Sequence, residues 1–131
     1  MEKIQAGVFI LYVTDQQRST AFYRTVLNTE PVLDVPGMTE FQISRNMKIG
    51  IMPESGIARL ICPAAPHPEL GNGIPRSEVY LYVSDPQAYL DRATGAGATL
   101  ISALQSRDWG DEAGYEMDLD GHILAFAKEK V

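Results

Sequence analysis

The residues Leu11-Tyr12-Val13-Thr14-Asp15 return seventy positions later as Leu81-Tyr82-Val83-Ser84-Asp85, and Gln17 is matched by Gln87. In each copy an apolar, β-branched and aromatic run predicts a buried strand. The Thr/Ser-Asp pair that follows supplies side-chain oxygens for the free N–H groups at the start of a helix. The repeat therefore predicts two half-domains, each opening with a strand that leads into a helix.

Both predicted helices have clear ends in the sequence. The first spans residues 16–27, where Phe22 and Val26 form an apolar i, i+4 pair and Asn28 provides a left-handed stop. The second begins at Asp85-Pro86, a cap followed by a proline at the first helical position, and it ends at Gly95. The two helices are expected to be structural equivalents.

Short strands are predicted after each helix. They occupy residues 31–35, 39–44 and 47–52 in the first half, and 98–101, 114–118 and 122–127 in the second, where a long loop covers 102–113. The chain is thus predicted to be one α+β domain, 1–131, with β-α-β-β-β modules at 5–53 and 77–128.

The segment 54–76 joins the two modules and is rich in proline and glycine. This composition disfavours continuous helix or sheet, so we interpret the segment as a linker. Its length is unusual for a structureless loop in a compact domain. Residues 57–62 within it could form an additional strand or a dimer contact.

Composition and charge narrow the class of protein. The chain is 45% hydrophobic and 21% charged, which is typical of a folded globular protein. Its net charge of −6 with scattered basic residues disfavours a nucleic-acid partner. The apolar run at 7–13 is too short to span a membrane, and the single cysteine, Cys62, agrees with a reducing compartment. We expect a cytoplasmic protein with no membrane partner.

Four further segments extend the pattern to nearly the whole chain: the helix 21–27 (AFYRTVL), the helix end 95–98 (GAGA), and the segments 107–110 (RDWG) and 118–122 (DLDGH). With them the chain resembles the vicinal oxygen chelate superfamily, which includes glyoxalase I, extradiol dioxygenases and bleomycin-resistance proteins. The resemblance implies curved mixed sheets that form an incompletely closed, barrel-like cleft, with the helices outside. It also implies a homodimer and a bacterial protein.

In the metalloenzymes of that family, four positions on the first and last strands of the modules hold the metal. The resemblance carries them onto Val8, Gly50 and its neighbours, Glu78 and Ala125. Only Glu78 offers a ligand, whereas a catalytic divalent metal needs at least three N or O ligands. We therefore predict no metal and no cofactor. The two histidines, His67 and His122, are interpreted as solvated loop residues.

Alternation along the strands predicts what lines the cleft. If Val8 and Glu78 face it, the residues two and four positions later do so as well. The predicted ligand-binding residues are Val8, Ile10, Tyr12, Gly50, Met52, Glu78, Tyr80, Tyr82, Trp109, Glu116 and Ala125. The tyrosines could instead complete a core or dimer contact. Trp109 could be a lid or could anchor its loop by packing, and Glu116 could face the cleft or solvent.

These residues support three functional hypotheses. The first is a non-catalytic protein that binds a small organic molecule, cationic or aromatic, as the bleomycin-resistance group does. The second is a metal-dependent glyoxalase-like lyase or dioxygenase-type enzyme whose ligands are displaced by one residue of strand register. The third is a metal-free enzyme in which Glu78, the one candidate catalytic residue, acts as a base.

Overall fold

The computed structural model describes residues 3–130 and divides the chain into two compact units that meet between Asn72 and Gly73. This boundary falls inside the predicted linker. Each unit has the β-α-β-β-β order, so the predicted α+β class and the two-module layout are confirmed.

The first unit holds one four-stranded mixed sheet. Its strands lie in the order β1-β4-β3-β2, with β1 parallel to β4 and the other pairs antiparallel. The elements are β1 Gly7–Val13, α1 Gln16–Leu27, β2 Leu33–Val35, β3 Met38–Ser44, β4 Met47–Pro53 and α2 Glu54–Ile61, followed by a 3-10 turn at Pro68–Gly71.

The second unit repeats this arrangement. Its strands lie in the order β5-β8-β7-β6, again with the first and last strands parallel. The elements are β5 Glu78–Tyr82, α3 Pro86–Gly95, β6 Thr99–Ser106, β7 Asp111–Met117 and β8 Ile123–Glu129.

The predicted helix ends are confirmed. Asp15 accepts a hydrogen bond from the Arg18 N–H at the start of α1, and Asp85 accepts one from the Ala88 N–H at the start of α3. Asn28 adopts the left-handed conformation (φ 51°) that stops α1. These side chains satisfy backbone groups that a helix end leaves unpaired.

Each core lies between a helix and one face of its own sheet. In the first unit, Val26 of α1 is buried together with Val13, Phe41, Ile49 and Ile51 of the sheet. In the second, Leu90 and Ala93 of α3 are buried with Leu124 and Phe126, and the Tyr89 ring stacks on Phe126 with centroids 5.2 Å apart. No helix within residues 3–130 is long and apolar enough to cross a membrane.

Three sequence expectations are wrong. The first is that the strand opening each half is buried. β1 and β5 lie at the edges of their sheets, and in β1 the side chains of Val8, Phe9 and Ile10 are 42%, 54% and 41% exposed. Only the later residues Leu11 and Val13 of β1 are buried.

The second error concerns residues 54–61, which form helix α2 and not a structureless linker or a strand. The prolines at 53 and 63 flank this helix without interrupting it, so they set its limits and do not prevent it.

The third error is the long loop 102–113. β6 extends to Ser106 and β7 begins at Asp111, so only four residues connect them. Register shifts between Leu100 and Ser102, and between Ser102 and Gln105, break the alternation that would have revealed β6 as a long strand.

Candidate functional site

One face of the second sheet gathers most of the polar aromatic side chains of that unit. Tyr80 is paired with Ala125 and Ala125 with Tyr115, so all three point to the same side. Because Ala125 is small, the rings of Tyr80 and Tyr115 approach across it, with centroids 6.5 Å apart. We call the set Glu78, Tyr80, Tyr82, Trp109, Asp111 and Tyr115 the aromatic face.

Asp111 organises the aromatic face. This carboxylate is only 4% exposed, and its Oδ2 accepts hydrogen bonds from the hydroxyls of Tyr80 (2.6 Å) and Tyr82 (2.8 Å). Two hydroxyl donors offset part of the cost of burying the carboxylate. The geometry therefore fixes the direction in which both phenol protons point.

Sequence reasoning missed Asp111 and Tyr115 as members of the site. The predicted loop 102–113 includes Asp111, so the alternation of side chains along a strand is not applied to this residue. Once β7 is known to begin at Asp111, alternation assigns Asp111, Ala113 and Tyr115 to one face. The four-residue spacing of Asp111 and Tyr115, which places both on one face of a strand, is the sequence signal that could have identified them.

Trp109 joins the aromatic face through one hydrogen bond. It lies in the short turn between β6 and β7, where Gly110 has φ 97° and its N–H donates to the Arg107 carbonyl. The indole Nε1–H donates to the Tyr80 hydroxyl at 2.9 Å, while the residue stays 59% exposed. The structure thus ties Trp109 to the aromatic face through a polar contact and leaves most of its side chain exposed.

The phenols keep their protons well into the alkaline range. Burial, together with the hydrogen bond to Asp111, raises the pKa of Tyr80 to about 12, although the Trp109 bond acts in the opposite direction. The bond to Asp111 is also the main cause that raises the pKa of Tyr82. A phenol that gives its proton to a carboxylate resists ionisation because its anion would face a negative charge.

Arg107 supports the rim of the aromatic face. Its guanidinium donates from Nε and Nη2 to the Ala113 carbonyl and from Nη2 to Ser102 Oγ (2.9 Å). It also lies over the Tyr115 ring, 5.1 Å from the centroid. This contact already pairs a cation with one ring of the face.

Glu116 lies on the opposite side of the same sheet. It is 0% exposed and contacts Thr94 of α3, whereas Tyr115 and Met117 share the face of Glu78. Both expectations for Glu116, in the cleft or in solvent, are wrong because β7 directs even-numbered residues toward the helix. Glu78 itself is exposed at the edge of the aromatic face.

The first sheet brings together Val8, Ile10 and Gly50. A Cβ at Gly50 would lie 3.1 Å from Ile10 Cγ1 and 3.2 Å from Val8 Cγ1, so apolar side chains fill this position. Tyr12 and Met52 are paired farther along the same two strands. Sequence reasoning missed an ion pair here, in which Lys48 Nζ lies 3.2 Å from Glu40 Oε1.

The residues that the resemblance assigns to the family's four metal-ligand positions, Val8, Gly50, Glu78 and Ala125, lie on β1, β4, β5 and β8. These residues do not fit a divalent metal, because Glu78 is the only donor among them. Within residues 3–130, no three His, Cys, Asp or Glu side chains are grouped so that they could hold a metal ion. His67 Nδ1 accepts a hydrogen bond from the Glu69 N–H at the 3-10 turn.

Comparison with known proteins identifies a family to which the sequence matches and individual relatives of the chain. The model of the glyoxalase/bleomycin resistance protein/dioxygenase superfamily matches residues 5–126. An uncharacterised protein of Mycobacterium bovis is 29% identical over 115 residues, which cover 86% of this chain and 75% of that protein.

Two solved structures illustrate the shared fold. A glyoxalase-related enzyme from Fulvimarina pelagi has a TM-score of 0.79 at 22% identity, over 95% of this chain and 88% of that chain. A glyoxalase/bleomycin resistance protein/dioxygenase family enzyme from Burkholderia phytofirmans has a TM-score of 0.78 at 17% identity, over 94% and 97%. At these identities the likeness concerns the fold.

Proposed function

Because the chain belongs to the glyoxalase/bleomycin resistance protein/dioxygenase superfamily, we propose that it binds a small organic molecule on the aromatic face of the second sheet. The ligand carries an aromatic group and a cation, and it binds without a metal. One observation carries this proposal: the phenol protons of Tyr80 and Tyr82 are both directed at Asp111.

The direction of these protons decides what the aromatic face can recognise. Tyr80 donates to Asp111 and accepts from Trp109, so its hydroxyl proton and the indole proton are both used within the protein. What remains for a ligand is mainly acceptors, the Tyr82 oxygen and the Glu78 carboxylate, while the Tyr115 hydroxyl can both donate and accept. Such a surface favours a hydrogen-bond donor over an acceptor.

The charges near the aromatic face favour a cation. The charges of Glu78 and Asp111 raise the pKa of Tyr115, and the charge of Glu129 raises that of Tyr82. Within the described residues, Arg107 is the one cation that lowers the pKa of any of these phenols. Exposed aromatic rings add cation–π attraction of about 0.5–2 kcal/mol, depending on desolvation. An anionic ligand would meet two or more carboxylates and would find few free donors.

A titration with three probes of the same shape tests the proposal. Benzamidine is a cation that donates hydrogen bonds, benzamide is neutral and benzoate is an anion. The fluorescence of Trp109, the only tryptophan of the chain, reports binding at the face, and calorimetry gives the affinity. We expect saturable binding of benzamidine, weaker binding of benzamide and none of benzoate.

Two variants locate the site. Glu78→Gln should weaken benzamidine binding by up to about 5-fold, which corresponds to the loss of an exposed ion pair of up to about 1 kcal/mol. Glu30→Gln, a matched change at an exposed glutamate of the first unit, should leave the affinity unaltered. Benzoate binding as tightly as benzamidine would contradict the proposed selectivity, and failure of all three probes to bind would contradict the site itself.

The competing function is a metal-dependent lyase, for which Glu78 is the single donor at the family's ligand positions. Metal analysis of protein purified without chelator tests it directly. We would replace the binding function by an enzymatic one if the protein held stoichiometric zinc, nickel, manganese or iron and if Glu78→Gln lost both the metal and activity. We expect substoichiometric metal that the substitution does not change.

A further inference from the structure

Glu116 is a fully buried carboxyl group on the side of the second sheet that packs against α3. Its neighbours across the sheet are Leu100 on β6 and Leu124 on β8. Burial among apolar side chains makes the ionised form of a carboxyl costly unless a cation or several donors compensate.

The compensation available to Glu116 is small. Thr94 Oγ1 lies 2.5 Å from Glu116 Oε2, and the other carboxyl oxygen, Oε1, is buried with no hydrogen-bond partner among residues 3–130. The same Thr94 hydroxyl lies 3.0 Å from the carbonyl of Leu90, one turn earlier in α3. A single hydroxyl proton thus faces two acceptors if Glu116 is ionised.

Among residues 3–130, no neighbouring charge favours the ionised form of Glu116. On α3, the negative charge of Asp91 disfavours a second negative charge on Glu116, and the Arg92 guanidinium lies over the Tyr89 ring. On β7, Glu112 shares the side of Glu116, and just after β7 the Asp118 Oδ1 accepts the N–H groups of residues 120 and 122. β6 carries no charged residue, and Lys128 of β8 is paired in register with Glu112.

We propose that Glu116 is a protonated carboxylic acid in the folded protein at neutral pH, and that its ionisation weakens the attachment of α3 to the second sheet. In the protonated form the Glu116 O–H donates to Thr94 Oγ1, and the Thr94 hydroxyl donates to the Leu90 carbonyl. This relay gives each proton one acceptor: the first bond joins β7 to α3, and the second lies within α3. Loss of the carboxyl proton leaves a buried anion with one donor.

The direction of the titration agrees with this geometry. Burial, followed by the charge of Asp91, raises the pKa of Glu116 above that of an ordinary carboxyl, and the Thr94 bond opposes the rise. A group whose pKa is raised by folding contributes stability that is full below its unfolded pKa and is lost as pH rises through its folded pKa. Within that window the unfolding equilibrium constant rises by up to about tenfold per pH unit.

Urea unfolding at a series of pH values tests the stability effect. The wild-type protein should lose stability from the ordinary carboxyl range upward, and Glu116→Gln, which keeps the neutral shape, should lack that decline. Glu129→Gln, an exposed residue on β8, should keep the wild-type profile. Parallel profiles for wild type and Glu116→Gln would overturn the proposal.

Two measurements on the wild-type protein do not depend on the folding of a variant. The δ-carbon resonance of Glu116 should have the shift of a protonated carboxyl at neutral pH, and a carboxylate shift there would refute the protonated state. Hydrogen exchange, corrected for its intrinsic pH dependence, should show α3 amides losing protection at high pH while α1 amides keep theirs. Equal behaviour of the two helices would refute the link to α3.

Discussion

Substituting Tyr80 by Phe removes one oxygen atom and leaves the aromatic ring in place. The lost hydroxyl donates to Asp111 at 2.6 Å and accepts from Trp109 at 2.9 Å. A hydrogen bond to a charged group contributes about 1.5–3 kcal/mol, and partial exposure reduces this value. We therefore expect the free energy of unfolding to fall by about 1–2 kcal/mol.

The pKa of Tyr80 predicts how this stability depends on pH. Folding raises this pKa from 10.0 to about 12. At about 1.4 kcal/mol for each pKa unit, the neutral phenol is favoured by at most about 3 kcal/mol, and solvent screening lowers that figure. This stability is full below the unfolded pKa of tyrosine and is lost as pH rises through about 12.

Urea unfolding followed by far-UV circular dichroism measures the change without relying on Trp109, whose surroundings the substitution alters. Tyr115→Phe is the matched control, because the Tyr115 hydroxyl makes no hydrogen bond within residues 3–130, and it should shift stability by less than about 0.5 kcal/mol. If Tyr80→Phe proved no more destabilising than Tyr115→Phe, Asp111 would not be organising the face as described.

Three further outcomes are expected. Spectrophotometric titration of the phenols should show one group ionising near pH 12 that is absent in Tyr80→Phe; an unchanged curve would contradict the assignment. Gly50→Ala should cost about 1–3 kcal/mol in a urea melt, because its Cβ would crowd Val8 and Ile10, whereas Gly7→Ala meets nothing within 4 Å and should be close to neutral. Light scattering should give the mass of a homodimer, which would cover the exposed residues 8–10 of β1, and a monomer at all concentrations would exclude it.

The strand-to-helix repeat was enough to predict the module layout. Both helix caps act locally, through the side chains of Asp15 and Asp85 on N–H groups three residues away, so they are visible in a short stretch of sequence. Alternation likewise assigned Tyr80 and Tyr82 to the face of Glu78. These predictions succeed because their causes lie within one element.

The failures have non-local causes. Whether β1 and β5 are central or edge strands depends on sheet order, which their apolar composition does not reveal. The bulges in β6 hide a strand of eight residues, and that error removed Asp111 from the predicted site. The partners of Glu116 and Asp111 come from α3 and β5, twenty or more residues away, so their protonation and bonding follow from tertiary packing alone.

The equivalent registers of the two sheets have a consequence for protein engineering. Ile10 is paired with Gly50 in the first sheet as Tyr80 is paired with Ala125 in the second. Equivalent positions of the two sheets therefore carry an apolar side chain in one copy and a tyrosine in the other. Because each sheet has its own helix and core, the first can serve as a constant frame during library selection. Randomising the exposed positions 78 and 82 would then sample new binding chemistry while the buried interior is left untouched.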